Sequence, residues 1–368
     1  MLVNTMDEAT LRRLAHPARY WNALPSKGDG RARVRCNLCP RDCIVREGDF
    51  GYCGVRGAVD GELVTFIYGR PSSIAVDPIE KKPLYHFHPG TDVLSLGTIG
   101  CNFRCKHCQN WTISFATIDR HSQMLQEKVL EPRELVGLAR KHGAAGVSFT
   151  YNEPTIWMEY VLDSFDLVKR TTELYTCVVT NAFIREEPLR DLLHVCDAYR
   201  ADLKTMRPRE MTRLMSYNRP QEVLNSIALA AKLETHLEVV TNVVTNWNDS
   251  EEELEEMAQW MQDSVPDSTP WHFTRYFPSA EFSEQPTPLA KLERAAGIAK
   301  AHGFRFVYLG NVAGESSTHC PDCGALVIER TGYRTKVLAA GPRCPECGTP
   351  LPLVGIGQAA PEGELHEE

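Results

Sequence analysis

Cys101, Cys105 and Cys108 stand in the string Cys101-Asn102-Phe103-Arg104-Cys105-Lys106-His107-Cys108, directly after the apolar run Val93-Leu94-Ser95-Leu96-Gly97. Three thiolates spaced C-x3-C-x2-C on one tight loop can hold three irons of a cubane iron–sulfur cluster. Such clusters normally take four cysteines, so a fourth iron without a protein ligand stays open to a substrate or cofactor. A zinc loop would use paired C-x2-C knuckles that close a tetrahedron, and this loop offers three ligands at another spacing. Three unrelated buried thiols would not need the spacing at all.

Two further cysteine groups flank this one. Cys320-Pro321-Asp322-Cys323 and Cys344-Pro345-Glu346-Cys347 form C-x2-C-x20-C-x2-C, each knuckle followed by a glycine (Gly324, Gly348). That is a zinc-ribbon pattern, closed to catalysis, and metal binding supplies much of the folding energy of so short a segment. A rubredoxin-like iron is the other occupant it admits. Near the N-terminus, Cys36, Cys39 and Cys43 are followed by Cys53, with Gly48, Gly51 and Gly54 shaping the loops. These four can close a site for zinc or for an auxiliary iron–sulfur cluster, and the C-x2-C knuckle tilts the reading to zinc.

Eleven of the thirteen cysteines fall into these groups, and only Cys177 and Cys196 stand alone. Cys177, in the run Cys177-Val178-Val179, reads as a core thiol. The first eight residues are acidic and lack the apolar stretch of a secretory signal. Clustered cysteines without an export signal imply metal rather than disulfide and a reducing, cytoplasmic setting. Hydrophobic residues at 43% and charged ones at 24% are the composition of a soluble globular protein, and no apolar run approaches a membrane span. A net charge of −8 argues against a nucleic-acid platform.

Apolar runs predict strands near 92–97, 146–150, 176–180, 197–203, 236–244, 271–276 and 305–310. Helical patterns lie between them, near 132–142, 156–172, 186–195, 220–233, 250–263 and 287–302. Repeated strand–helix units imply an α/β fold with a parallel sheet and right-handed crossovers. Six or seven units are too few for a closed eight-stranded barrel, so a curved partial barrel of (β/α)6 type is expected. The plan is an N-terminal region with the four-cysteine segment (1–91), the partial barrel (92–314), the ribbon (315–354) and a disordered tail (355–368).

Chemistry in α/β barrels collects at the C-terminal ends of the strands, and the polar motifs fall there. Gly97-Thr98-Ile99-Gly100 leads into the triad and lacks the Lys-Ser/Thr of a phosphate loop. Thr150-Tyr151-Asn152-Glu153-Pro154 ends the second run, Thr180-Asn181 the third and Asp202-Leu203-Lys204 the fourth. Asn152 and Glu153 can accept from an ammonium, or cap a helix that starts at Pro154. Asp202 and Lys204, two apart on a strand, project to the same side. As an exposed ion pair they would be worth little. His272, Arg275 and Asn246 lie on later strands, where core or salt-bridge positions are equally natural.

The triad resembles the signature of the radical S-adenosylmethionine (SAM) enzymes, in which SAM fills the open iron of a [4Fe-4S] cluster. The resemblance implies reductive cleavage of SAM to methionine and a 5′-deoxyadenosyl radical that abstracts hydrogen from a substrate. It implies that His107 packs on the adenine and that Asn152, Glu153, Thr180, Asp202 and Lys204 hold the methionyl end, although Asn152-Glu153 departs from the usual glycine pair. His272 and Arg275 rank below these for adenine or ribose. Asp202-Leu203-Lys204 is typical of glycyl-radical-enzyme activases. The Cys36–Cys53 segment and the run Asp77-Pro78-Ile79-Glu80-Lys81-Lys82-Pro83 narrow the resemblance to the radical SAM member of the AMMECR1–Memo–radical SAM system, a relative of pyruvate formate-lyase activating enzymes. Glu80, Lys81, His86 and His88, just before the cluster strand, are second-rank candidates for the site border. The partners implied are a one-electron donor such as flavodoxin or ferredoxin, and AMMECR1-like and Memo-like proteins. An iron–sulfur electron carrier or scaffold is the rival reading, and it does not explain the polar strand ends.

Overall fold

The structure is a computed structural model that describes residues 8–26, 28, 30–124, 128–314 and 316–356. Of the tail expected at 355–368, residues 357–368 lie outside the described residues.

One eight-stranded sheet dominates, with strands in sequence order across it: β1 (Ser73–Pro78), β2 (Asp92–Gly97), β3 (Gly146–Phe149), β4 (Tyr175–Thr180), β5 (Ala198–Asp202), β6 (His236–Val243), β7 (Trp271–Arg275) and β8 (Val307–Gly310). From β2 to β8 every neighbouring pair is parallel. Six helix-bearing crossovers join them, so the six strand–helix units expected from the sequence are present. The edge strand β1 runs antiparallel to β2 and was not anticipated.

Local signals account for most of the helices. Ser250 caps Glu251–Ser264 by accepting from the Glu253 amide, and Glu251, Glu252 and Glu253 sit in its first turn, where the helix dipole favours negative charge. Pro132 opens Pro132–Lys141 beneath a capping box of Glu131 and Glu134. A helix at Pro208–Met215 was not expected. Its apolar face is only Met211, Leu214 and Met215, too short a periodic signal to separate from a loop.

The two faces of the sheet carry different cores. Leu94, Leu96, Val147, Phe149 and Val178 pack outward into the main cluster with the helices. Val93, Cys177, Tyr175 and Ala198 point to the concave side, where Ile79, Leu84 and Phe87 from the β1–β2 connection plug the interior. Polar residues share that side. Glu238 accepts from the amides of Tyr85 (3.0 Å) and His86 (2.8 Å) and from Nε2 of His236 (3.1 Å) and His272 (2.7 Å). Burial opposes its charge, but these donors outweigh it and hold the carboxyl well below its ordinary value, while burial pushes His272 down as well. Glu238 is therefore ionised and His272 a neutral donor.

Smaller sheets flank this body. Trp21–Leu24, Arg33–Cys36 and Ile44–Arg46 form one; His16–Pro17, Glu62–Thr65 and Arg56–Val59 form another. At the other end, Thr318–His319, Leu326–Thr331 and Arg334–Val337 form an antiparallel sheet that shares a core with Tyr85, Phe306 and Tyr308. Arg330 from this sheet is fully buried and donates to the Tyr85 carbonyl (2.5 Å) and to Thr318 Oγ1 (2.8 Å), with Glu80 at 3.7 Å.

Candidate active site and metal centres

A cavity of about 750 Å3 opens at the C-terminal ends of the strands. The triad forms one wall, on the loop after β2. That loop turns at Gly100, whose φ is +87° and where a Cβ would meet the Cys53 carbonyl at 2.7 Å, so only glycine fits. Arg104 then ties the loop together, donating to the carbonyls of Cys101 (2.6 Å) and Tyr52 (3.0 Å). The amide of Lys106 bonds the Leu214 carbonyl at 2.9 Å, which gives the unanticipated helix a role in seating the loop.

The chemistry of the thiols suits an anionic cluster. Cys101 Sγ accepts from the Phe103 amide (3.4 Å) and from Asn181 Nδ2 (3.8 Å), and Cys108 Sγ lies 3.6 Å from Ser114 Oγ. Without metal, burial pushes the Cys105 thiol up to about 12; coordination would release that proton. His107 lines the cavity with a buried ring whose Nδ1 has no partner. Burial, then Lys204, pushes its pKa down to about 3, so it presents a neutral aromatic face.

On β5, Asp202 bridges two cations: Lys204 Nζ at 2.6 Å and Arg200 Nη1. Burial would raise the Asp202 pKa, but Arg200 and Lys204 outweigh it and hold it below the ordinary value. All three face the cavity, as do Thr180 and Asn152. Asn152 is also committed to the turn before the triad, accepting from the Thr98 amide (3.2 Å) and donating to the Gly100 carbonyl (2.9 Å).

Glu153 is placed otherwise. Its carboxylate caps the turn at Pro154–Trp157 through the Thr155 amide (3.0 Å) and takes bonds from Thr180 Oγ1 (2.7 Å) and the Asn181 amide (2.8 Å). It does not line the cavity; it pins the β4 end that does. Arg275 reaches the wall, whereas His272 belongs to the Glu238 network, and Asn246 faces Glu284 near the surface.

The β1–β2 connection divides in the same way. Lys81 lines the cavity, and so does its unranked neighbour Lys82; their ammonium groups clasp Asp77 at 2.7 and 2.6 Å. Tyr151, also on the wall, donates to the same carboxylate at 2.5 Å. Glu80, His86 and His88 do not line it: Glu80 accepts from the Gly90 amide near Arg330, His86 Nε2 meets Tyr308 Oη at 2.6 Å, and His88 packs on Tyr175. Arg200, Asn181, Tyr151 and Lys82 are among the lining residues to which sequence reasoning gave no role. Arg200 was accessible to it, since it lies two residues before Asp202 on the same side of a strand.

Two other cysteine groups are assembled. In the C-terminal sheet, ligand atoms of Cys320, Cys323, Cys344 and Cys347 lie within 4.8 Å of one another, with Cys320–Cys347 at 3.6 Å and Cys323–Cys344 at 3.5 Å. Cys36, Cys39, Cys43 and Cys53 surround a small cavity beside the triad loop.

Residues 96–261 match the radical SAM superfamily. Over 328 residues, 88% of this chain and 96% of the other, the sequence is 38% identical to the uncharacterized protein MJ0808 of Methanocaldococcus jannaschii. The chain belongs to the radical SAM superfamily and shares a family with that archaeal protein. Among solved structures it is similar to a domain of pyruvate-formate lyase-activating enzyme from Bacteroides vulgatus (17% identity, TM-score 0.39, 45% of this chain and 99% of that one). It is also similar to a radical SAM methyltransferase from Sphaerobacter thermophilus (15% identity, TM-score 0.46, 86% of this chain and 84% of that one). Superfamily membership implies a [4Fe-4S] cluster and SAM. Among the described residues, no helix is long and apolar enough to cross a membrane.

Proposed function

We propose that this chain is a radical SAM enzyme that holds its [4Fe-4S] cluster on Cys101, Cys105 and Cys108 and acts on a substrate bearing an anionic group. The observation that carries the reading is the shared cavity: the triad, His107 and the Asp202–Lys204 pair line the same space at the strand ends. Bound there, the cluster and SAM supply one-electron cleavage of the sulfonium and a 5′-deoxyadenosyl radical.

The chain's own residues bind and orient. Lys204 takes the methionyl carboxylate, Asp202 with Thr180 and Asn152 takes the ammonium, and the neutral His107 ring covers the adenine. Lys81, Lys82, Arg200 and Arg275 leave the remaining wall net positive even with Asp77 set between the two lysines, and Asp202 is the one carboxylate among the lining residues. That charge suits an anionic substrate group. The recessed wall keeps bulk water from the reacting atoms.

The four ribbon thiols are proposed to hold zinc, because tetrahedral ligands about 2.3 Å from one ion stand roughly 3.8 Å apart, near the spacing observed. The division into an N-terminal cysteine-rich region (1–91), a partial barrel (92–314) and a ribbon (315–354) belongs to the same reading. So do a cytoplasmic setting, a flavodoxin or ferredoxin as electron donor, and AMMECR1-like and Memo-like partners. Glycyl-radical activation is the second reading, favoured by Asp202-Leu203-Lys204. A radical seen by electron paramagnetic resonance on a co-encoded partner would support it.

The test is anaerobic: load iron and sulfide, reduce with dithionite, add SAM and assay 5′-deoxyadenosine. Product that vanishes in Cys105→Ala supports the proposal. A loaded, reducible cluster that neither cleaves nor binds SAM overturns it in favour of an electron carrier.

A further inference from the structure

Sulfur spacing separates the three cysteine groups. Among the described residues, Cys320, Cys323, Cys344 and Cys347 are the one cysteine group whose ligand atoms all lie within 4.8 Å of one another. A single zinc ion draws its thiolates together. A cubane places an iron between each thiolate and the cluster core, and so spreads them. The N-terminal four nevertheless face one cavity, lined by all four cysteines with Arg41, Arg56 and Asn102.

A second observation points into the same space. Arg56 is 2% exposed, and its two terminal nitrogens are satisfied by Glu159 and the Arg19 carbonyl. Its Nε is buried without a partner, although Arg56 lines the cavity beside Cys36 and Cys53. An unpaired buried donor is costly, and a bridging sulfide or thiolate of a cluster would satisfy it. The Tyr52 amide already points at Cys43 Sγ (3.4 Å), a contact that stabilises cluster thiolates.

We propose that Cys36, Cys39, Cys43 and Cys53 hold a second [4Fe-4S] cluster, not a zinc ion. It stands one loop away from the triad, since Asn102 follows Cys101 and lines this cavity, and Gly100 packs on the Cys53 carbonyl. The inference is independent of SAM chemistry.

The test uses the full chain with Cys101→Ala, Cys105→Ala and Cys108→Ala together, purified anaerobically from iron-replete cells without reconstitution. Iron, acid-labile sulfide and zinc are measured, and spectra are taken before and after dithionite. About four irons and four sulfides per chain beside one zinc are expected, with a paramagnetic signal on reduction. Two zincs without iron, or no iron at all, overturns the proposal. Should that variant fail to fold, Mössbauer spectroscopy of the unmodified 57Fe-grown chain decides: about eight irons in cubane environments support it, and about four overturn it.

Discussion

In the C-terminal sheet, Cys320 and Cys347 approach to 3.6 Å and Cys323 and Cys344 to 3.5 Å, and the ligand atoms of all four lie within 4.8 Å of one another. Cys101, Cys105 and Cys108 form no such group and line, with His107 on their own loop and Asp202 and Lys204 from β5, a cavity of about 750 Å3. Both regions are cysteine loops with glycine turns. What separates them is the scaffold. The C-terminal knuckles sit on small antiparallel hairpins that meet each other, whereas the triad hangs from the end of β2, the first of the parallel strands, among residues from the ends of six others. Closed geometry serves structure; a ligand set one short, placed where several strands converge, serves chemistry.

Removing one thiolate from the open site should have the largest effect. Cys105→Ala is expected to abolish 5′-deoxyadenosine formation while the zinc proposed for Cys320, Cys323, Cys344 and Cys347 stays at one per chain; parallel loss of zinc would break the comparison. Next comes the seam between the regions. Arg330→Met removes a fully buried guanidinium from the Tyr85 carbonyl and Glu80, and should cost about 3–5 kcal/mol, read by denaturant unfolding. An unchanged midpoint would mean that the C-terminal sheet does not brace the eight-stranded one.

Within the open site, Lys204→Met should weaken SAM binding about 10–100-fold, the loss of one charge-assisted bond, with iron content unchanged. Calorimetric titration reads it, and equal affinity would move the carboxylate contact to Arg200 or Arg275. The smallest effect belongs to the plug between the regions. Burial pushes His86 down to about 3 and lowers His272. A folded pKa below the unfolded one means that the unfolded chain binds more protons in acid. The stability these groups contribute is therefore full above about pH 6.5 and lost as pH falls, for His86 by about 1.4 kcal/mol per unit. His86→Phe should flatten the slope between pH 6.5 and 5 by about that amount; an unaltered slope would assign it elsewhere.

Legibility in the sequence followed the range of the interactions. The triad, both flanking cysteine groups and six strand–helix units could be read because their signals are local: ligand spacing, apolar period, caps such as Ser250. The antiparallel strand Ser73–Pro78 and the helix Pro208–Met215 were missed, since each is held mainly by what it packs against. Within one short run, Lys81 and Lys82 enter the cavity while Glu80, His86 and His88 turn into the barrel plug or toward the ribbon. Adjacent residues differ there because the segment threads through the interior, and no local pattern encodes that path.

By itself, then, the sequence determined which thiols belong together, that one group is a ligand short, and that parallel strands deliver polar ends to one place. Tertiary structure alone decided how far apart the sulfurs stand, that Glu153 caps and pins its neighbours while Asp202 faces the cavity, and that Asn181, Tyr151 and Lys82 join the wall. Ligand type and spacing are properties of a short stretch of chain. Distance across a site depends on how strands distant in sequence twist and pack, and so it appears only once the chain has closed around its core.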